Sequence, residues 1–294
     1  MATLDQWVAG ARPRTLPAAF APVIAGTAAA ALNHHPVYGY ALLALVVSLA
    51  LQVGVNYAND YSDGIRGTDA ERVGPVRLVG QRLALPSNVK LMAFLFFGLA
   101  GLAGLALVAL SGAWLLLPLG VLCVIAAWKY TGGDKPYGYS GWGEVMVFVF
   151  FGLVATLGTE YTQTLKVSWL GLLAAVGVGA IASAILVANN LRDIPTDRET
   201  GKHTLAVRMG DKGTRRFWLA LILVAVACCI GMVAFAPWAL LALAALPIVW
   251  PGARAVMGGA QGRDLIPALA NTGLFEVAYA ALLAIGVVVT LALR

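Results

Sequence analysis

Nine apolar segments recur along this chain, and they constrain its fold more than any other feature of the sequence. They lie at roughly 15–32, 37–58, 88–110, 113–130, 143–159, 168–190, 214–234, 238–253 and 268–292. Several exceed the about 20 residues that a helix needs to cross a bilayer. Hydrophobic residues make up 60% of the 294 and charged residues only 12%, against about 25% charged in a soluble domain. We therefore expect an all-α, polytopic membrane protein, with about nine transmembrane helices in one domain and a cap of polar loops.

The basic residues between these segments are sorted to one side of the membrane. If nine segments span, every Lys and Arg except Lys166 and Arg294 lies before the first span or after an even-numbered one. The positive-inside rule then places the N-terminus and these loops in the cytoplasm and the C-terminus outside. We expect a multi-pass protein of the cell's inner (plasma) membrane. The net charge of +6 does not indicate nucleic-acid binding, because the basic residues are not clustered on one face.

Two of the predicted cytoplasmic loops begin with closely spaced carboxylates. The first stretch is NYANDYSDGIRGTDAERVGPVR (56–77) and the second is NNLRDIPTDRETGKHTLAVR (189–208). Asp60 and Asp63 are three residues apart, and Asp193 and Asp197 are four apart, so each pair shares a helix face. Carboxylates at the edge of a bilayer are costly and usually functional. Their oxygens suit Mg²⁺ that bridges to a diphosphate, and nearby basic groups bind the remaining phosphate oxygens.

The two stretches share the same spacing between an asparagine and the first aspartate. Asn56 precedes Asp60 by four residues, as Asn189 precedes Asp193. This predicts a diverged internal duplication, with spans one to four and five to eight as repeats and span nine added. Such a duplication places a site at the interface of the two repeats.

A third polar stretch, KYTGGDKPYGYSGWGE (129–144), follows span four. Its glycines and proline indicate a loop rich in turns. In this loop Lys135 is a candidate phosphate contact and Tyr130 a candidate wall of a substrate site; the alternative is a loop that only sets topology. His203 lies in the second aspartate loop, where an acid–base role stays open.

Other residues inside the spans are expected to be structural. Glu276, about two turns into span nine, should face the bundle and make a structural hydrogen bond, while a catalytic role stays open. Small residues should let helices approach closely. They are Gly98, Gly101, Gly104, Gly171, Gly177 and Gly179.

Three stretches resemble the UbiA superfamily of intramembrane prenyltransferases. They are NDYSDGIRGTDAERVGPVR, PYGYSGWGE followed by FFG, and NNLRDIPTDRETGKHTLAVRMG. The resemblance covers nearly the whole chain and is strongest to the branch that prenylates 1,4-dihydroxy-2-naphthoate in menaquinone synthesis. It implies Mg²⁺-dependent transfer of a polyprenyl group from polyprenyl diphosphate to this acceptor, with loss of CO₂ and diphosphate, giving demethylmenaquinone. The prenyl tail would lie between helices, open to membrane lipid.

The resemblance also implies roles for individual residues. Asp60 and Asp63 would bind one Mg²⁺ ion, and Asp193 and Asp197 a second. Asn56 and Asn189 would support these sites. The implied diphosphate contacts are Arg72, Arg77, Lys135 and Lys202. Many superfamily members have a further acid where this chain has Gly67, which leaves open whether Asp69 takes part.

Two other classes compete with this interpretation. A membrane transporter also has internal repeats and carboxylates, but its charged groups would lie near the middle of the bilayer. A CDP-alcohol phosphotransferase also uses aspartates and Mg²⁺, but Asp63-Gly64 lacks the continuation of that motif. Among prenyltransferases, a different aromatic acceptor stays open.

Overall fold

Helices build all of the regular secondary structure in the part of the chain that the structure describes. The structure is a computed structural model, and it describes residues 2–33, 36–67 and 76–294. The helices are α1 (Leu4–Gly10), α2 (Pro17–Asn33), α3 (Tyr38–Arg66), α4 (Pro86–Ser111), α5 (Leu116–Lys129), α6 (Gly143–Thr164), α7 (Trp169–Glu199), α8 (Leu205–Met232), α9 (Pro237–Met257) and α10 (Gly262–Ala292).

The described helices confirm a multi-pass membrane protein. Seven of them are long and apolar enough to cross a bilayer. Counting the pair Leu4–Thr15 and Pro17–Leu32, bent by 47°, as one span gives eight. The remaining predicted segment is α5, which has only 14 residues. At 1.5 Å per residue it is about 21 Å long, short for a hydrocarbon core of about 30 Å. The predicted count of nine is therefore approximate.

Local sequence signals explain where several helices begin and end. Ser168 accepts a hydrogen bond from the backbone N–H of Gly171 and caps α7, and Thr204 does the same for Val207 at the start of α8. Side-chain oxygens at this position satisfy an N–H that the helix leaves unpaired. At the end of α3, Gly67 takes a φ of +72°, the left-handed conformation that glycine adopts at little cost.

The long helix α7 lies at the centre of the bundle. In its most apolar 18-residue window, 72% of the residues are buried, more than in any other described span. It packs against α2, α6, α8 and α10. Helices α2, α7, α8, α9 and α10 form the larger hydrophobic core, whereas α1, α3, α4 and α5 form a second. The aspartates of α3 and α7 therefore belong to helices from different cores.

Small residues bring α6 and α7 into backbone contact. A Cβ atom added to Gly152 would lie 2.5 Å from the Cα atom of Gly179, and α6 contains a π-helical stretch, Phe148–Val154, at this point. The predicted packing roles of Gly177 and Gly179 are confirmed. Those of Gly98 and Gly101 are wrong, because a Cβ atom at either would meet no atom of another described helix within 4 Å.

Glu276 is fully buried in α10 and faces the bundle, as expected. The predicted hydrogen bond is wrong, because neither carboxyl oxygen has a partner among the described residues.

Candidate active site

A cavity of about 1070 Å³ runs along the inner face of α3. On α3 its lining extends from Ala44 to Asp63, which at 1.5 Å per residue is about 28 Å, close to the thickness of a hydrocarbon core. Helices α4, α5, α6 and α7 supply most of the other walls, and the N-terminal segment, α2 and α10 add further lining residues. Most of the lining is apolar, whereas the charged residues gather at the end where α3 and α7 finish. A long apolar molecule with a charged head matches this shape.

Asp63 is surrounded by donors at the charged end of the cavity. The guanidinium Nη2 of Arg77 lies 3.8 Å from one carboxylate oxygen of Asp63, and the ammonium Nζ of Lys202 lies 3.8 Å from the other. The hydroxyl of Tyr139 donates to the Lys202-facing oxygen. Asp63, Arg77 and Lys202 are each at least 94% buried and line the cavity. Buried cations at one end of an apolar cavity attract an anion.

Asp60 has a different environment from Asp63. Its two oxygens accept hydrogen bonds from the backbone N–H groups of Leu78 (2.7 Å) and Val79 (3.0 Å). It is 1% exposed and does not line the cavity. Asp60 thus fixes the segment that follows the first motif to the end of α3.

In the second motif, Asp197 lines the cavity and Asp193 does not. Arg192 donates to both oxygens of Asp193, from Nε at 2.7 Å and from Nη2 at 2.8 Å. The same Nη2 donates to Oδ1 of Asn189, whose amide lies 3.4 Å from Asp193. The backbone N–H of Lys202 donates to the carbonyl of Asp197. One aspartate of each motif therefore faces the cavity while the other is held behind it.

Asn56 ties the N-terminal segment to α3. Its amide donates to the carbonyl of Ala11 (2.8 Å) and to Oγ1 of Thr15 (2.9 Å). Between them, Arg12 has a φ of +55°, a strained backbone conformation for a residue other than glycine. Arg12 and Arg14 both line the cavity. The structure thus gives Asn56 a contact with the segment that carries two further cations.

The loop between α5 and α6 covers the charged end. Arg66 donates to the carbonyls of Thr131 and Gly133 and so holds this loop to α3. The Tyr139 ring lies 4.5 Å from Nζ of Lys202. Its backbone carbonyl accepts from the N–H of His203, so the loop also contacts the second motif.

The candidate residues of this loop differ in whether they line the cavity. Tyr130 lines the cavity and packs edge-on against Tyr137 at 5.4 Å, and its contact with a substrate stays a prediction. Burial raises the pKa of the Tyr137 hydroxyl above its usual range, and this hydroxyl donates to the carbonyl of Ala126. Lys135 is exposed and does not line the cavity, and its phosphate contact stays a prediction. His203 is also exposed and outside the lining.

Several cavity residues escaped the sequence analysis. They are Arg12, Arg14, Tyr139, Asn190 and Arg192. All lie within or next to the polar stretches at the predicted cytoplasmic ends of spans, which is the one signal that pointed to them. Arg72 and Asp69 lie outside the described residues.

The carboxylates of the cavity suit a divalent cation that is shared with a ligand. The described residues hold no group of three or more His, Cys, Asp or Glu side chains suited to a metal. Mg²⁺, however, is usually bound through one or two carboxylates together with water and substrate phosphates. Asp63 and Asp197 offer one carboxylate from each motif on the same cavity, so these residues fit such an ion.

Comparison with known proteins agrees with this geometry. The model of the UbiA prenyltransferase family matches residues 19–264. The 1,4-dihydroxy-2-naphthoate octaprenyltransferase of Mycobacterium tuberculosis (strain ATCC 25618 / H37Rv) is 55% identical over 280 residues, which cover 95% of this chain and 96% of the relative.

Solved structures share the fold at low sequence identity. The apo structure of a UbiA homologue from Aeropyrum pernix K1 has a TM-score of 0.69 at 17% identity, over 93% of this chain and 98% of that one. A UbiA homologue from Archaeoglobus fulgidus, bound to DMAPP and Mg²⁺, has a TM-score of 0.55 at 15% identity, over 97% and 99%. By the extent of the family match and the identity to its relative, the chain belongs to the UbiA prenyltransferase family.

Proposed function

We propose that this protein transfers a polyprenyl group from polyprenyl diphosphate to 1,4-dihydroxy-2-naphthoate, with release of diphosphate and CO₂, and gives demethylmenaquinol, the hydroquinone form of demethylmenaquinone. The observation that carries the proposal is the cavity, which is apolar over about the thickness of a bilayer and ends among Asp63, Arg77 and Lys202. The acceptor is the one named for the relative that is 55% identical. Because the family transfers prenyl groups, the transporter alternative is set aside.

The cations at the charged end bind the leaving group. Arg77 and Lys202 contact the diphosphate oxygens, and Arg12 and Arg14 add positive charge to the same end. In a buried site such preorganised charges stabilise the negative charge that develops on diphosphate as the allylic C–O bond breaks. Arg77 and Lys202 both lie beside the Asp63 carboxylate, so they are already placed at this end of the cavity.

Asp63 and Asp197 are the residues that would hold Mg²⁺, which supplies positive charge to the diphosphate leaving group when bound. The A. fulgidus homologue bound to DMAPP and Mg²⁺ supports a metal in this fold. In this proposal Asp60 and Asp193 do not contact the metal. Asp60 fixes the segment after the first motif, and Asp193 binds Arg192.

The apolar wall guides the rest of the reaction. It holds the prenyl chain and keeps water from the allylic cation, so that the electron-rich ring attacks instead. The new C–C bond forms at the ring carbon that bears the carboxylate. The C–CO₂ bond then breaks and returns its electron pair to the ring, which restores aromaticity.

An isotope experiment tests both the acceptor and the decarboxylation. Purified protein receives polyprenyl diphosphate, Mg²⁺ and naphthoate labelled in its carboxyl group. We expect labelled CO₂ to be released in step with prenylation, and little or no product from 4-hydroxybenzoate. Efficient prenylation of 4-hydroxybenzoate with retention of its carboxyl label would reject this acceptor.

We further infer that the charged end faces the cytoplasm. The inference rests on the sorting of the basic residues. His203 is exposed on the side of the motifs and Lys166 is exposed at the opposite end of α6. In intact spheroplasts, a cysteine in the Lys166→Cys variant should react with an impermeant thiol reagent, whereas one in the His203→Cys variant should react only after lysis. The reverse pattern would overturn the orientation.

A further inference from the structure

Asn190 marks the boundary between the polar and apolar parts of the cavity. It lies on α7 seven residues before Asp197, which places it about 10 Å deeper along the helix. The adjacent Asn189 also lines the cavity, but its amide already contacts Arg192 and Asp193. Deeper along α7, the residues that line the cavity, Leu186, Ile185 and Ala182, have no side-chain polar group. Bond formation between a prenyl carbon and a ring belongs at this boundary, because the diphosphate occupies the charged end and the chain occupies the apolar wall.

The side chain of Asn190 presents an acceptor to this boundary. Its amide Nδ2 donates to Oε1 of Glu144 at 2.8 Å. Its Oδ1 has no hydrogen-bond partner in the described part of the chain, and it is not among the fully buried polar atoms that lack a partner. Since Asn190 lines the cavity, Oδ1 is open to it. A hydrogen-bond acceptor is thus available where the reacting ring would lie.

Glu144 fixes the orientation of this amide. It is 3% exposed at the start of α6, and Asn190 is its only side-chain hydrogen-bond partner within residues 2–33, 36–67 and 76–294. Oε1 accepts a hydrogen bond whether or not the carboxyl is protonated. It therefore directs the NH₂ group of Asn190 away from the cavity and the carbonyl oxygen toward it.

We propose that Oδ1 of Asn190 accepts a hydrogen bond from a ring hydroxyl of the aromatic acceptor, and that Glu144 is the positioning residue that orients it. This inference rests on the proposed function and deepens it, since it assigns the recognition of a hydroxylated ring. A prenyl chain has no donor for this oxygen, so the chain leaves it unsatisfied. A bound hydroxyl both satisfies it and sets the face of the ring that meets the allylic carbon.

The test compares acceptors that differ by one hydrogen-bond donor. Wild-type protein, Asn190→Ala and Glu144→Leu are assayed with 1,4-dihydroxy-2-naphthoate and with each of its two monomethyl ethers. One net hydrogen bond contributes about 1–1.5 kcal/mol, or roughly tenfold in kcat/KM. We expect the wild type to prefer the diol over one ether by at least this factor. In both variants the preference should fall to about twofold or less, with an unchanged KM for the diphosphate.

Ser183→Ala is the matched control. Ser183 lies on the same helix, is buried and donates to the backbone carbonyl of Glu144 at 3.2 Å, but it neither contacts Asn190 nor lines the cavity. It should keep the wild-type preference. If Asn190→Ala does not fold, Glu144→Leu still carries the test, because it leaves the cavity wall intact.

The outcomes separate this inference from the proposed function. A wild-type protein that does not prenylate the naphthoate with any polyprenyl diphosphate rejects both. An active wild type whose Asn190→Ala variant keeps the full preference for the diol rejects only the role of Asn190. A rise in the KM of the diphosphate equal to that of the acceptor would also overturn it, since that pattern indicates a general distortion of the site.

Discussion

At the end of α3, Asp60 is held by the backbone of a neighbouring segment; at the end of α7, Asp193 is held by the side chain of Arg192. The partner aspartates of these two residues, Asp63 and Asp197, face the cavity. In both motifs one carboxylate of the pair thus faces the cavity and the other is bound by the protein. The two motifs share the same spacing between asparagine and aspartate, but different contacts bind the aspartate that does not face the cavity.

The asparagines of the two motifs differ in the same way. Asn56 binds the N-terminal segment, and Asn189 binds Arg192 and Asp193 on its own helix. The first motif therefore organises distant parts of the chain around the charged end. The second is supported mainly within α7. Substitutions in the first should loosen neighbouring segments, and those in the second should change α7 itself.

The largest effect should come from the carboxylates that face the cavity. In Asp63→Asn and Asp197→Asn, loss of one anionic ligand weakens the electrostatic stabilisation of the leaving group, which we expect to lower kcat by about 10²–10³-fold. Both variants should need more Mg²⁺ for half-maximal activity. The double variant should lose far less than the product of the two effects, because both groups act on one leaving group. Near wild-type activity in either single variant would remove that residue from the metal site.

The next effect should be on stability, in the second motif. Asp193→Asn leaves the guanidinium of Arg192, which is 8% exposed, without its anionic partner. Breaking a buried pair on one side costs about 3–5 kcal/mol, so the thermal unfolding temperature in detergent should fall markedly. Adding Arg192→Gln should recover part of the loss, since it removes the buried charge. Strictly additive losses would show that the pair is not the cause.

The first motif should respond more locally. In Asp60→Asn, one oxygen is replaced by an NH₂ group, so either Leu78 or Val79 loses its acceptor, at a cost of about 1–3 kcal/mol. Amide hydrogen exchange at residues 76–80 should speed up, while Mg²⁺ dependence stays near that of the wild type. Asp63→Asn is the control: amide exchange at residues 76–80 should stay as slow as in the wild type, whereas the Mg²⁺ requirement should change. A changed Mg²⁺ requirement in Asp60→Asn would instead indicate that Asp60 binds the metal.

Hydropathy predicted the helices and their polar ends because a long apolar segment has few alternatives to a spanning helix. It also placed all four aspartates where α3 and α7 finish. It did not predict which aspartate of a pair faces the cavity, since residues three or four apart share a face and a small rotation decides between them. Tyr139 was missed for a different reason: it meets Asp63 across 76 residues of sequence, a contact that no local pattern records.

That contact gives the smallest effect. Tyr139→Phe removes the hydroxyl that donates to Asp63 but keeps the ring beside Lys202 and Arg66. A hydrogen bond to an ionised carboxylate competes with a metal for the same oxygen, and the net gain on removing it should be modest. We expect half-maximal activity at about a threefold lower Mg²⁺ concentration, with little change in kcat.

Tyr139→Ala, which also removes the ring from Lys202, should instead weaken diphosphate binding, because Lys202 loses a contact of about 0.5–2 kcal/mol. The contrast is sharpest in the Asp63→Asn background, which lacks the ionised acceptor of this hydroxyl. There Tyr139→Phe should no longer shift the Mg²⁺ requirement, and an unchanged threefold shift would show that the hydroxyl acts through another group.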